Sequence, residues 1–89
     1  MNNAIMRKID VTDAWQPLSP SKLVATVTIS TPPDNAGDVL FRTTDEQAHE
    51  VPWVPGEWHD LKSVDLAAIE VKNADAGATN VVTVVGGTW

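Results

Sequence analysis

The chain has 89 residues, enough for one small domain with a modest core, since size scaling buries roughly 64% of the surface of a chain this long. Apolar residues at 43% and charged residues at 20% argue against intrinsic disorder, and the lack of cysteine excludes disulfides, thiolate metal centres and cysteine nucleophiles. Six basic against 12 acidic residues give a net charge of −6, which disfavours phosphate backbones and anionic membrane surfaces as partners.

Val, Ile and Thr supply 25 residues, a bias toward pleated surfaces, and no segment keeps a helical apolar period beyond two turns. The first strand is predicted over residues 5–11, with Ile5, Ile9 and Val11 inward and Lys8 and Asp10 outward. Arg7 and Lys8 follow a polar start with no apolar run behind them, which is not a signal peptide. The clearest strand spans residues 22–30, where Leu23, Ala25, Val27 and Ile29 alternate with Val24, Thr26, Thr28 and Ser30. Pro32-Pro33 ends it, because consecutive prolines cannot donate to a ladder.

Residues 39–43 form the next strand and residues 50–54 a short one, which Pro52 restricts to an edge or bulge. Val54-Pro55-Gly56-Glu57 has the type II turn pattern, and residues 58–62 lead away from it. Residues 63–68 could hold one helical turn. Residues 68–72 and 80–85 complete seven short antiparallel strands, turned at Asn73-Ala74-Asp75-Ala76-Gly77. The expected fold is all-β: one compact β-sandwich or jelly-roll-like barrel over residues 1–89, with a short arm at residues 1–4 and a short tail at residues 86–89.

The chemistry-bearing residues do not converge in any pattern. His49-Glu50 and His59-Asp60 would approach each other if the Pro55-Gly56 turn made a hairpin, but no third ligand is obvious. Solvated histidines are the simpler reading. No serine has the context of an activated nucleophile, Gly86-Gly87 is no phosphate loop, and the acidic residues fall mostly in turns, where aspartate caps backbone N–H groups. No catalytic, metal or cofactor residues are assigned, and the expected class is non-enzymatic.

The tryptophans Trp15, Trp53, Trp58 and Trp89 carry most of the aromatic area. Three readings stand for them: core residues, interface anchors, or a sugar-stacking platform. Trp53 and Trp58 bracket the Pro55-Gly56 turn and would face each other across a hairpin. Trp89, beyond Gly86-Gly87, is expected to dock on its own domain or on a neighbour.

The alternating segment Leu23-Val24-Ala25-Thr26-Val27-Thr28-Ile29, the Asn35-Ala36-Gly37-Asp38-Val39-Leu40-Phe41 stretch and the Val54-Pro55-Gly56-Glu57 turn are followed by residues 63–71 and by Val81-Val82-Thr83-Val84-Val85-Gly86-Gly87. In this order they resemble small β-sandwich virion proteins of tailed bacteriophages, over about residues 22–87. The resemblance implies a capsid decoration (cement) protein that binds the major capsid protein or other virion proteins, forms homo-oligomers, and contacts neither nucleic acid nor membrane. It would be made in the host cytoplasm and reside on the capsid surface. A tail, neck or fibre-base component and a carbohydrate-binding module are the alternatives. The expected contact residues are Met1, Asn2, Asn3, Trp15, Trp53, Trp58 and Trp89.

Overall fold

The computed structural model describes residues 3–88; Met1, Asn2 and Trp89 lie outside the described residues. Eight strands follow in order: β1 (Asn3–Val11), β2 (Gln16–Pro17), β3 (Val24–Ser30), β4 (Val39–Thr43), β5 (Val51–Trp53), β6 (Trp58–Asp65), β7 (Ile69–Asn73) and β8 (Asn80–Thr88). They form two four-stranded antiparallel sheets, ordered β1-β8-β3-β6 and β2-β7-β4-β5, so the protein is a small all-β sandwich.

The pairing is nested. β1 pairs with β8, β2 with β7, β3 with β6, and β4 with β5. The chain behaves as one long antiparallel ribbon, closed at the β4–β5 hairpin and folded on itself so that β3 also meets β8 and β4 meets β7. This is the eight-stranded jelly-roll connectivity. Six of the seven connections therefore pass between sheets, and β4–β5 is the one pair of consecutive strands that are also neighbours.

Alternation decides which side chains enter the core. Ala25, Val27 and Ile29 of β3, Val82 and Val84 of β8, Ile5 and Val11 of β1, Val39 and Phe41 of β4, and Val71 of β7 are all buried. Leu18, Trp53 and Leu66 complete the core. Leu66 begins a single 3-10 turn, Leu66–Ala68, whose entry is capped by Asp65 through Ala67 N at 3.0 Å. The same Asp65 oxygen accepts Leu23 N at 3.1 Å.

Four buried polar residues hold the ends of the sandwich, and each has a partner. The Thr31 hydroxyl donates to the carbonyl of Val54 at 2.8 Å, and its backbone bonds Gly56 and Glu57. The Ser19 hydroxyl donates to the carbonyl of Ser21 at 2.7 Å. At the same end as Thr31, Asn80 Nδ2 donates to Asn73 Oδ1 at 3.0 Å, and Asn73 Nδ2 donates to Asp13 Oδ1 at 2.9 Å. Asn80 Oδ1 also accepts Gly37 N. These bonds tie the β1–β2, β3–β4 and β7–β8 connections together, so loops distant in sequence share one polar joint.

Several expectations need correction. The expected arm and tail are not free: Asn3 pairs with Thr88, Ala4 with Gly87, and Gly86 lies opposite both Ile5 and Val27. Gly86 fits there because a Cβ would lie 2.7 Å from Val27 Cα and against the Thr26 carbonyl; the glycine allows close strand approach, not a flexible tail. The Pro55-Gly56 turn forms, with Gly56 at φ 88° and Glu57 N bonded to Val54 O at 3.1 Å. It joins two different sheets, however, so it makes no hairpin. β6 also runs past residue 62 to Asp65 through a bulge against β3, with Ser63 at φ 50°.

Candidate functional site

The outer face of the first sheet is built by strand register. Two rows of residues cross all four of its strands: Met6–Val85–Thr28–Asp60 and Lys8–Thr83–Ser30–Trp58. Because their neighbours along each strand point into the core, these side chains point outward. Thr28 donates its hydroxyl to Asp60, and the hydroxyls of Ser30 and Thr83 share a hydrogen bond. Four of the five polar members are thereby paired laterally, while Lys8 and the apolar members extend into solvent.

Met6 is 77% exposed, Trp58 61% and Val85 52%. With Val24, they are four of the six large hydrophobic side chains exposed among the described residues, all on this face. The other two, Val51 and Val54, sit on and just after β5. A face that keeps apolar groups in water beside satisfied polar groups is suited to docking a partner.

The expected contact residues separate. Trp58 lies exposed on the outer face of the first sheet. Trp53, expected as an exposed contact, is instead buried, its ring stacked on Phe41 with centroids 3.8 Å apart and planes at 17°. Since β5 and β6 belong to different sheets, Trp53 and Trp58 do not face each other. Trp15 lies half-buried against the outer side of the second sheet, with the Arg42 guanidinium 4.0 Å and Lys72 Nζ 5.4 Å from its ring centroid. Arg42 is itself held by Glu70 at 2.9 Å, so the indole's cationic partners belong to its own chain. Asn3 is exposed at the start of β1. Met1, Asn2 and Trp89 lie outside the described residues.

Met6 and Val85 were not singled out from sequence, although alternation carried the signal. Met6 occupies the outward phase of the strand that buries Ile5, and Val85 follows the inward Val84.

The histidines do not meet as a pair on one hairpin. His49 lies in the exposed segment before β5, near Glu46 at 4.0 Å. His59 on β6 bonds Glu57 through Nε2 at 2.6 Å and sets its ring edge-on to Trp53 at 4.7 Å. Glu57 also accepts Val54 N at 3.0 Å. The His59 hydrogen bond, then the backbone bond, hold the Glu57 carboxyl below its ordinary range. Among the described residues no group of three or more His, Asp or Glu side chains is arranged to hold a metal ion.

A second feature is an open, largely apolar cleft of about 300 Å³ between the sheets, floored by Phe41 and Trp53 and flanked by Ile29, Leu61 and Ile69. His49 and Glu46 stand at its rim.

No protein-family model, no curated protein and no solved structure matches this chain.

Proposed function

We propose that the chain is a structural protein of a tailed-phage virion, acting as a capsid decoration protein that binds the major capsid protein through the outer face of its first sheet. The observation that carries this reading is the exposed set Met6, Val85 and Trp58 on a sheet face where Thr28 is bonded to Asp60 and Ser30 to Thr83. Such a face favours a broad protein surface over a small polar ligand. The sequence resemblance supplies the virion context. The jelly-roll connectivity supports it by analogy of fold, since viral capsid domains use it, as do lectins.

Protein contact is favoured over a sugar-stacking platform by the tryptophans. A platform needs several exposed rings, whereas Trp53 is stacked inside the core and Trp15 is packed with Arg42. A decoration protein needs only modest affinity per copy, because contacts repeat around a symmetric shell.

The test is quantitative mass spectrometry of purified virions of the encoding phage. A copy number comparable to the major capsid protein supports decoration. A few copies per particle would move the chain to the tail, neck or fibre base, and absence from particles would overturn the virion reading.

A further inference from the structure

The four edge strands are unequal. β2 has two residues, and β5 has three, including Pro52. β6 carries the bulge near Ser63. Each of these edges resists pairing with another chain. β1 differs: its nine residues run in unbroken register with β8.

Three hydrogen bonds from two side chains, Gln16 and Asn35, show which groups of β1 face away from β8. The Asp10 carbonyl accepts Gln16 Nε2 at 2.8 Å. Val81, opposite Asp10, donates its N–H to Asn35 Oδ1 and accepts Asn35 Nδ2 at its carbonyl, at 2.9 Å each. Asp10 and Val81 are therefore a non-bonded pair in the ladder, and alternation places the N–H and C=O groups of Lys8, Met6 and Ala4 on the open edge. Among the described residues nothing pairs with these three. Gln16 closes the run at one end, which leaves a short set symmetric about Met6.

We infer that β1 is a self-pairing seam, at which two copies of this chain join antiparallel about a two-fold axis between Met6 and its counterpart. In that register Lys8 of one copy lies opposite Ala4 of the other, so each open N–H and C=O finds a partner. No like charges lie directly opposite, since Arg7 faces Ile5. Each Met6 is already the neighbour of Val85, so an apolar strip Val85–Met6–Met6–Val85 would cross the joined eight-stranded sheet. A closed two-fold contact uses one surface twice and stops there. Burial of Met6, at 77% the most exposed large apolar side chain among the described residues, then favours the pair. The inference stands apart from the virion reading and survives its failure.

The test is the association state of the purified chain by analytical ultracentrifugation, with two variants, Met6→Lys and Met6→Glu. The wild type is expected to dimerise. Each variant alone sets like charges opposite one another at the axis and is expected to dissociate the dimer by about tenfold or more. Mixing the two variants places Lys opposite Glu and restores a one-to-one dimer. Because Met6 is exposed, neither variant disturbs the core, which circular dichroism checks. A monomeric wild type at about 100 μM, a Kd well above the micromolar range, overturns the inference, and so does a dimer that either variant leaves intact or that mixing fails to restore.

Discussion

The Trp53 indole lies face to face with the Phe41 ring, 3.8 Å between centroids, across the β4–β5 hairpin. This contact makes the tryptophan just before the crossover turn part of the core. His59 covers the indole edge-on from the other sheet, so one ring bridges both layers where β5 gives way to β6.

The first prediction contrasts two indoles five residues apart. Trp53→Ala removes a buried aromatic and is expected to destabilise by about 3–5 kcal/mol, a large share of the about 5–15 kcal/mol that holds a domain of this class. Trp58→Ala, on a side chain 61% exposed, is expected to change stability by about 0.5 kcal/mol or less while weakening partner binding. Urea unfolding of both variants checks the first effect. Equal losses of stability would contradict the placement of the two rings.

Gly86 gives the second prediction. A methyl group there meets the backbone of β3, at 2.7 Å from Val27 Cα and against the Thr26 carbonyl, and backbone cannot rotate aside. Gly86→Ala is expected to cost about 3 kcal/mol or more, or to prevent folding. Gly77, at φ 80° with open space around its Cα, serves as the control: Gly77→Ala carries only conformational strain, about 1 kcal/mol. Thermal melts of the two variants separate crowding from backbone preference.

Seven of the eight strands were legible in the sequence because each is a short, local pattern; β2, only Gln16–Pro17, has no alternation to read and was missed. The alternation of residues 22–30 and the inward phase of Val82 and Val84 are decided by neighbours two positions away. The nested pairing was not legible. The Pro55-Gly56 pattern specifies a type II turn, which forms, but a turn type does not state whether its flanking strands stay in one sheet. Gly86-Gly87 falls in the short tail expected at residues 86–89, because glycine relaxes the chain in isolation; it takes the facing backbone of β3 to show that Gly86 permits close packing. Trp58 was legible as a candidate contact, but it could not be told from Trp53 without the register that turns one outward and the other inward.

The third prediction concerns acid. Asp13 accepts Asn73 Nδ2 at 2.9 Å and Gly77 N at 3.0 Å, and these bonds, with Lys72 nearby, lower its pKa from the ordinary 3.8. Glu57 is lowered from 4.5 by its bonds to His59 and Val54 N. For a carboxylate whose folded pKa is depressed, the stabilisation is complete above the unfolded value and fades as pH falls through the folded one. Both groups therefore contribute fully at neutral pH and lose their contribution as pH drops below about 4. Thermal melts of wild type and Asp13→Asn are expected to differ at pH 7 and to converge at about pH 2, where protonation of Asp13 leaves neither chain a carboxylate at this position. A constant difference across that range would show that Asp13 acts through shape alone.

The last prediction follows from connectivity. Only the β4–β5 hairpin joins strands consecutive in the chain, while the β1–β8 ladder brings Asn3 against Thr88, almost the whole length apart. Loop-closure entropy must be spent on those distant pairings before the contacts return it. Refolding is therefore expected in the millisecond-to-second range typical of all-β domains, not in microseconds. The nested ribbon also suggests an order, with pairs near the hairpin closing shorter loops than the terminal pair. Substitutions should separate accordingly. Val39→Ala, beside the hairpin, is expected to slow folding, whereas Ile5→Val in β1 is expected mainly to speed unfolding. Stopped-flow chevrons of the two variants test this. An Ile5→Val effect carried wholly by the folding limb would mean that the ends of the ribbon meet first.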